Sequence, residues 1–502
     1  MARVPVGFGL TPFHHGAALM PQRRSKSHSD PQSLRARTAR WFEALGEGTT
    51  TQRVGFVLGL CALTLAPLNH GSVELSWAAT VGAFLILAIL LADVTRLSRV
   101  TVLAAMLIAM LSALLIAAAL LQNQPGFPGL PGHAAWQHPA SLLGVTTPAR
   151  AAAVADQPVF ALGNIIAMTL AAFFGLFAGT APRRALVLVR VVAWSAVMLG
   201  AYSFLEQFSR FWASELGPGT SGFTGTFYNR NTAATYFGSC ATVMTVLALR
   251  RTIRWLRECG DWQPDASWMV LFSAPRDLVM LIAATAFLMI ATLATASRAG
   301  ALATLAAVLI VTMLSLVRWA RPVRIGGIAA VVATLCIALF IEIYGAGLGA
   351  RLEAGLSDPA RYEVYKATAQ LIGEYPLTGQ GLGTFMHAFP ALRPITLPSW
   401  GIWEMAHSTP LELVHDIGLP LAGLTFGLWL ASAVVLARCT LQRDRDTRVA
   451  TAAFGFWLVG AMHSFVDFSL QLPGYAVIFA AVVSCGVASA LTPIPERADS
   501  VV

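Results

Sequence analysis

The stretch VTVLAAMLIAMLSALLIAAALL, residues 100–121, holds 22 positions without a charged side chain. As a helix rising 1.5 Å per residue it is long enough to cross about 30 Å of hydrocarbon. Its apolar residues do not alternate with polar ones, so it is no barrel strand. A bilayer leaves backbone N–H and C=O groups without water, and a helix satisfies them within itself. The same reading extends in both directions. Apolar runs recur near 54–69, 75–91, 159–180, 185–206, 232–249, 278–295, 299–317, 325–344, 410–437, 449–468 and 473–491. The fold class expected is all-α, a polytopic integral membrane protein of about twelve spans. Composition agrees: 56% of the 502 residues are hydrophobic and 12% charged, against roughly 25% charged in soluble domains, and mean hydropathy is +0.66.

A net charge of +9 would suit nucleic acid if the basic residues formed one patch. They do not. With the N-terminus inside, Arg and Lys concentrate in alternate connections: Arg23, Arg24, Lys26, Arg35, Arg37 and Arg40; Arg183 and Arg184; Arg250, Arg251, Arg254 and Arg257; Arg318, Arg321 and Arg324; Arg438, Arg443, Arg445 and Arg448. That face carries 26 of the 34 basic residues, as the positive-inside rule requires. One missed span would invert the bias downstream. Nucleic acid is therefore not an expected partner, and membrane lipid is. The six cysteines (Cys61, Cys240, Cys259, Cys336, Cys439 and Cys485) show no CxxC spacing, so neither a zinc site nor a disulfide framework is expected.

The chain divides into a basic cytoplasmic tail (1–53), nine spans (54–344), an outward loop (345–409), three further spans (410–491) and a short tail (492–502). The connection 122–158 is rich in Pro and Gly and reads as a flap or a substrate lid. The loop 345–409 reads as folded. Asp358-Pro359 suits the cap and first position of a helix. Tyr362, Tyr365, Ala369 and Ile372 follow at helical spacing, and Gly373 and Pro376 stop the helix.

Charge is costly in hydrocarbon, so polar residues at span ends are the candidates for chemistry. Asn229-Arg230-Asn231 opens the sixth span; either Asn can cap the helix, and Arg230 sits at its positive end. Ser297-Arg298 makes a tight outward turn, where Arg298 can snorkel to headgroups or clamp a phosphate. Gly379-Gln380-Gly381-Leu382-Gly383 reads as an ordinary turn or as a phosphate cradle. His407-Ser408 precedes the tenth span with Glu412 a turn inside it. His463 and Asp467 stand at i, i+4 as on one helix face. Asp444-Arg445-Asp446 is a solvated charge run in an Arg-rich turn.

With these residues in place the chain resembles the O-antigen ligase and polymerase superfamily of bacterial membrane glycosyltransferases. The resemblance rests on Asn229-Arg230-Asn231, Ser297-Arg298, Arg361 through Gly383, His407-Ser408 and His463 through Asp467. Of the ligase motif, His407, Ser408 and Gly418 fit, while Leu421 stands where Gly, Thr or Tyr is usual. The resemblance implies a large periplasmic loop between spans nine and ten and an inner-membrane location. It also implies transfer of a glycan from undecaprenyl diphosphate to an acceptor hydroxyl, without metal or cofactor. The acceptor would be lipid A core or a second lipid-linked glycan. Arg298, Arg361, Arg230 and Arg210 would bind diphosphate; His407 would act as base with Glu412 orienting it; His463 and Asp467 would support the acceptor side. The rival outside enzymology is a transporter of lipid-linked glycan, which would place its polar residues near the midplane.

Overall fold

A computed structural model of the chain describes residues 48–95, 97–146, 148–212, 223–258, 274–317, 359–397, 402–442 and 445–492. The described part is helical, with no named strand. In chain order the principal helices are α1 (Thr50–Leu65), α2 (Leu75–Leu90), α3 (Arg99–Asn123), α4 (Ala134–Leu143), α5 (Gln157–Gly179), α6 (Pro182–Trp212) and α7 (Arg230–Glu258). Then come α8 (Arg276–Ala294), α9 (Arg298–Val317), α10 (Pro359–Glu374), α11 (Thr409–Leu441), α12 (Arg448–Ser464) and α13 (Pro473–Leu491). Eight of the described helices, α3, α5 to α9, α11 and α13, are long and apolar enough to cross a membrane, while α1 and α2 are apolar but shorter. The chain is a multi-pass membrane protein. The run expected at 325–344 lies outside the described residues.

Two packing features position everything else. α7 is the buried helix of the bundle, with neighbours α6, α8, α9 and α12. It runs parallel to α9, since Gly300 abuts Ala234 and Gly238 abuts Thr304 one turn on. α5 and α13 approach through glycines: a Cβ on Gly175 would stand 2.1 Å from the Ala481 carbonyl oxygen. Small residues let helix backbones meet where lipid offers no hydrophobic drive of its own. Interhelical hydrogen bonds add to this, as between Ser239 Oγ and Tyr475 Oη at 2.8 Å.

The connections depart from expectation in three places. Residues 122–158 are no loose flap: α4 forms there, Trp136 Nε1 donates to the Ala152 carbonyl (2.8 Å), and Ala153 N donates to Gln380 O (2.8 Å). The loop helix α10 starts at Pro359 as expected. Its buried face, however, is Val364, Ala367, Thr368 and Leu371, while Tyr362 and Ala369 are exposed. Finally, α12 ends at Ser464 and α13 begins at Pro473. Asp467 therefore lies in a turn, and His463 and Asp467 do not share a helix face.

Candidate functional site

Three elements converge on Asp467. Its side chain is fully buried, and Oδ1 faces His407 Nδ1 at 3.3 Å and Asn231 Nδ2 at 3.2 Å. Ser469 Oγ donates to Oδ2 (3.1 Å), and Thr409 Oγ1 donates to the Asp467 carbonyl (3.2 Å). Burial alone would raise the carboxyl's pKa. The hydrogen bond from His407 and the nearby His463 and Arg361 outweigh it and hold the group below the usual carboxylate range.

His407 is fixed from several sides. Its backbone is left-handed, φ +55°, a conformation that non-glycine residues adopt only where the surroundings over-determine it. Tyr365 Oη donates to its carbonyl (2.9 Å). The rings of Trp403 and Phe468 lie edge-to-face with the imidazole, at 5.4 and 4.9 Å. The side chain keeps 22% of its surface exposed. In a neutral imidazole, a proton on Nδ1 directed at Asp467 leaves a lone pair on Nε2. Such a nitrogen can accept a proton from a hydroxyl.

Glu412 reaches His407 through the backbone. Its Oε2 accepts from Ala406 N at 2.6 Å, which ties down the turn just before His407. The carboxylate against the imidazole is Asp467. His463 lies one layer deeper, its Nδ1 within 2.6 Å of Thr235 Oγ1 and 3.2 Å of Ser469 Oγ. It reaches Asp467 through Ser469.

Among the arginines, Arg361 joins the cluster directly: its Nη1 donates to the Val466 carbonyl at 2.7 Å. Arg230 and Arg298 are exposed first residues of α7 and α9. Those helices lie parallel with their starts adjacent, so two helix N-termini, each with its partial positive charge, carry one arginine apiece. Asn229 is the cap of α7, accepting from Asn231 N at 2.8 Å, which leaves the Asn231 side chain for Asp467. The side chain of Arg210 lies outside the described residues.

The glycine turn is an architectural clamp and not a phosphate cradle. Its N–H groups are spent inside the protein: Gln380 N on His415 O (2.8 Å), Gly381 N on Asp416 O (3.2 Å), Leu382 N on Gln122 Oε1 (3.1 Å) and Gly383 N on Asp416 Oδ2 (2.8 Å). The clamp holds a break in α11 at Gly418 (φ +76°, ψ 164°). Gln122 and the pair His415–Asp416 carry this clamp, as Ser469 and Thr235 carry the surroundings of Asp467, and sequence reasoning gave none of them a role. Their long-range contacts run across many residues or to a backbone atom, which no spacing rule reveals.

No curated protein matches the chain. Residues 281–426, which include Arg298, Arg361, His407 and Glu412, match the family model Wzy_C, described as O-antigen ligase. The resemblance to the O-antigen ligase superfamily carried by those residues therefore stands for this segment of the multi-pass chain.

Proposed function

We propose that the protein is a glycosyltransferase of the bacterial inner membrane that moves a glycan from undecaprenyl diphosphate to an acceptor hydroxyl at the periplasmic face. The observation that carries this reading is the His407–Asp467 contact, 3.3 Å long, in a cluster where α7, α11 and the turn after α12 meet. The acceptor oxygen attacks the anomeric carbon, its proton passes to His407 Nε2, and the bond from that carbon to the diphosphate oxygen breaks. Asp467 holds the tautomer and offsets the imidazolium that forms. The leaving diphosphate gains negative charge, which the arginines neutralise without a metal. Arg230 and Arg298 are assigned there from their place on two helix N-termini. Arg361, next to the turn that holds Asp467, and Arg210 join them.

The layout proposed with this chemistry has twelve spans and a periplasmic loop between the ninth and tenth. The alternation of basic and neutral connections supports it, since one span fewer would place the arginine clusters on both faces.

A reconstituted assay tests the reading. Purified protein with chelator receives an undecaprenyl-diphosphate glycan, with core lipid in one arm and lipid-linked donor alone in the other. Product on core lipid is the expected outcome, and elongated lipid-linked chains would make the enzyme a polymerase of the same superfamily. Translocation of the donor without any new glycosidic bond would overturn the reading in favour of a transporter.

A further inference from the structure

The end of the bundle away from His407 has its own unexplained charge. α7 joins the two ends. Asn231, which binds Asp467, and Arg250 are 19 residues apart on it, roughly 28 Å of helix. Arg250 and Arg254 follow one another by a turn. α12 runs from Arg448 at this end to His463 at the other, and α6 brings Arg190 from eight residues inside its start. α6 and α12 both pack on α7, so four guanidinium groups converge here. Arg190 is half-buried and sits in the field of Arg448, Arg254 and Asp446, and Asp446 in turn feels Arg250.

Among the described residues, one carboxylate stands against the four guanidinium groups. Asp446 is the carboxylate of this group among the described residues, and Arg448 Nε already holds its Oδ2 at 2.8 Å. Arg250 donates to Thr447 Oγ1 at 2.7 Å. Arg190 and Arg254 make no hydrogen bond or ion pair among the described residues. Two neighbouring arginines at this end are matched. Arg251 pairs with Asp277 at 2.8 Å, and Arg445 donates to the Ala490 carbonyl at 2.8 Å, at the end of α13. Positive-inside bias accounts for arginines in the connections. It does not account for one placed two turns inside a helix, between three helices and beside like charges. There the dielectric is low and repulsion is costly. What relieves such a site is an anion with several acceptor oxygens in the plane of a guanidinium fork.

We propose that Arg190, Arg250, Arg254 and Arg448 form a phosphate-binding site at the opposite end of the bundle from the His407 cluster. The ligand is a phosphate mono- or diester. It comes either from an anionic phospholipid of the adjoining leaflet or from solution, and basic pockets between spans suit both.

The full chain in nanodiscs separates these sources. Melting temperature is measured in phosphatidylcholine alone, in phosphatidylcholine with phosphatidylglycerol and cardiolipin, and in phosphatidylcholine with inorganic phosphate at constant ionic strength. Wild type is compared with Arg190→Gln, with Arg254→Gln, whose exposed side chain leaves the fold intact, and with Arg257→Gln as a control outside the cluster. Anionic lipid is expected to raise the melting temperature of wild type and Arg257→Gln. Each of the other two variants should need about five-fold more of it for the same rise. A rise with lipid and none with inorganic phosphate identifies a headgroup, and a rise with both identifies a site open to solution. Equal rises in all four proteins would reduce the effect to general surface attraction and overturn the proposal. So would no rise with either ligand.

Discussion

Among the described residues two His–Asp pairs lie within a few turns of each other, in opposite surroundings. His415 Nδ1 and Asp416 Oδ1 lie 2.9 Å apart, closer than His407 and Asp467 at 3.3 Å, yet both side chains are buried, at 0% and 8% exposure. Asp416 spends its other oxygen on Gly383 N and its carbonyl on Gln122 and Gly381. The His415 ring lies edge-to-face with Phe385 at 5.6 Å. That pair is sealed and serves to bind the glycine turn to the break in α11. The looser pair keeps a face of its imidazole open, joins residues 60 positions apart, and stands beside arginines. On the function proposed above the longer contact is the one suited to chemistry, because a general base needs a nitrogen that substrate can reach more than it needs a tight partner, and the unspent His415 Nε2 is buried.

The sharpest way to break this comparison is to remove each histidine in turn. His407→Ala should lower transfer by about 10²–10⁴-fold, the usual worth of a positioned base, with the membrane level of the protein unchanged. Asp467→Asn should lose about 10²-fold, since the amide can present the wrong hydrogen-bonding group to Nδ1. His415→Ala should instead lower the amount of folded protein and leave kcat per folded molecule near wild type. A kcat collapse in His415→Ala at normal membrane level would reverse the assignment of the two pairs.

Gly418 tests the architectural half directly. Its φ and ψ belong to a region open in practice to glycine alone, which costs other residues about 1–3 kcal/mol. A Cβ there would also stand 2.3 Å from the Leu377 carbonyl oxygen. Gly418→Ala should therefore reduce thermal stability by at least that amount and cut the membrane level. Gln122→Leu comes next. It strips a donor from the Thr378 and Asp416 carbonyls and an acceptor from Leu382 N, at a cost of roughly 1–3 kcal/mol for buried groups left unpaired. Thermal unfolding in detergent reads both, and a Gln122→Leu protein as stable as wild type would remove the clamp from the account.

The same contrast separates what the sequence discloses from what it hides. Helices α3, α5, α9 and α13 are written in uncharged runs, because hydrocarbon tolerates little else. His407, Arg361, Asn231 and Asp467 are visible as polar residues at the ends of such runs. The partner of His407 is not visible. Asp467 looks like a helical neighbour of His463 only while the helix is extended past Ser464, and the turn that replaces it sends the carboxylate across to His407 instead. Glu412, a turn from His407 along the chain, looks like its natural partner and serves the backbone of Ala406. The residues 122–158 carry turn-forming composition, which says where a chain bends and nothing of what it docks against. Their anchors, Gln122 and His133, bind residues more than 240 positions away.

His133 gives the smallest effect and the most specific one. Burial depresses its pKa more than the Gln380 hydrogen bond and the charge of Glu374 raise it, and His415 nearby lowers it further. The imidazole bonds Gln380 Oε1 at 3.1 Å and stacks on Tyr375 at 4.8 Å, so it is one of the contacts that seat the 122–158 connection on the glycine turn. For a histidine whose folded pKa is lowered, the unfolded chain binds the proton more readily. Its contribution to stability is full above the unfolded value near about 6.5 and declines as pH falls through it toward the folded value. Wild type should therefore lose thermal stability between about pH 7.5 and 5.5, by more than His133→Gln does over the same interval. Asn123 and Arg150, which anchor the connection independently through a 2.8 Å hydrogen bond, should keep the loss partial. If the two proteins changed in parallel, the pH dependence would belong to other groups and His133 would be an ordinary cap of α4. If only the wild type declined, proteolysis within 124–156 should accelerate at the lower pH while the His407 pair stayed intact.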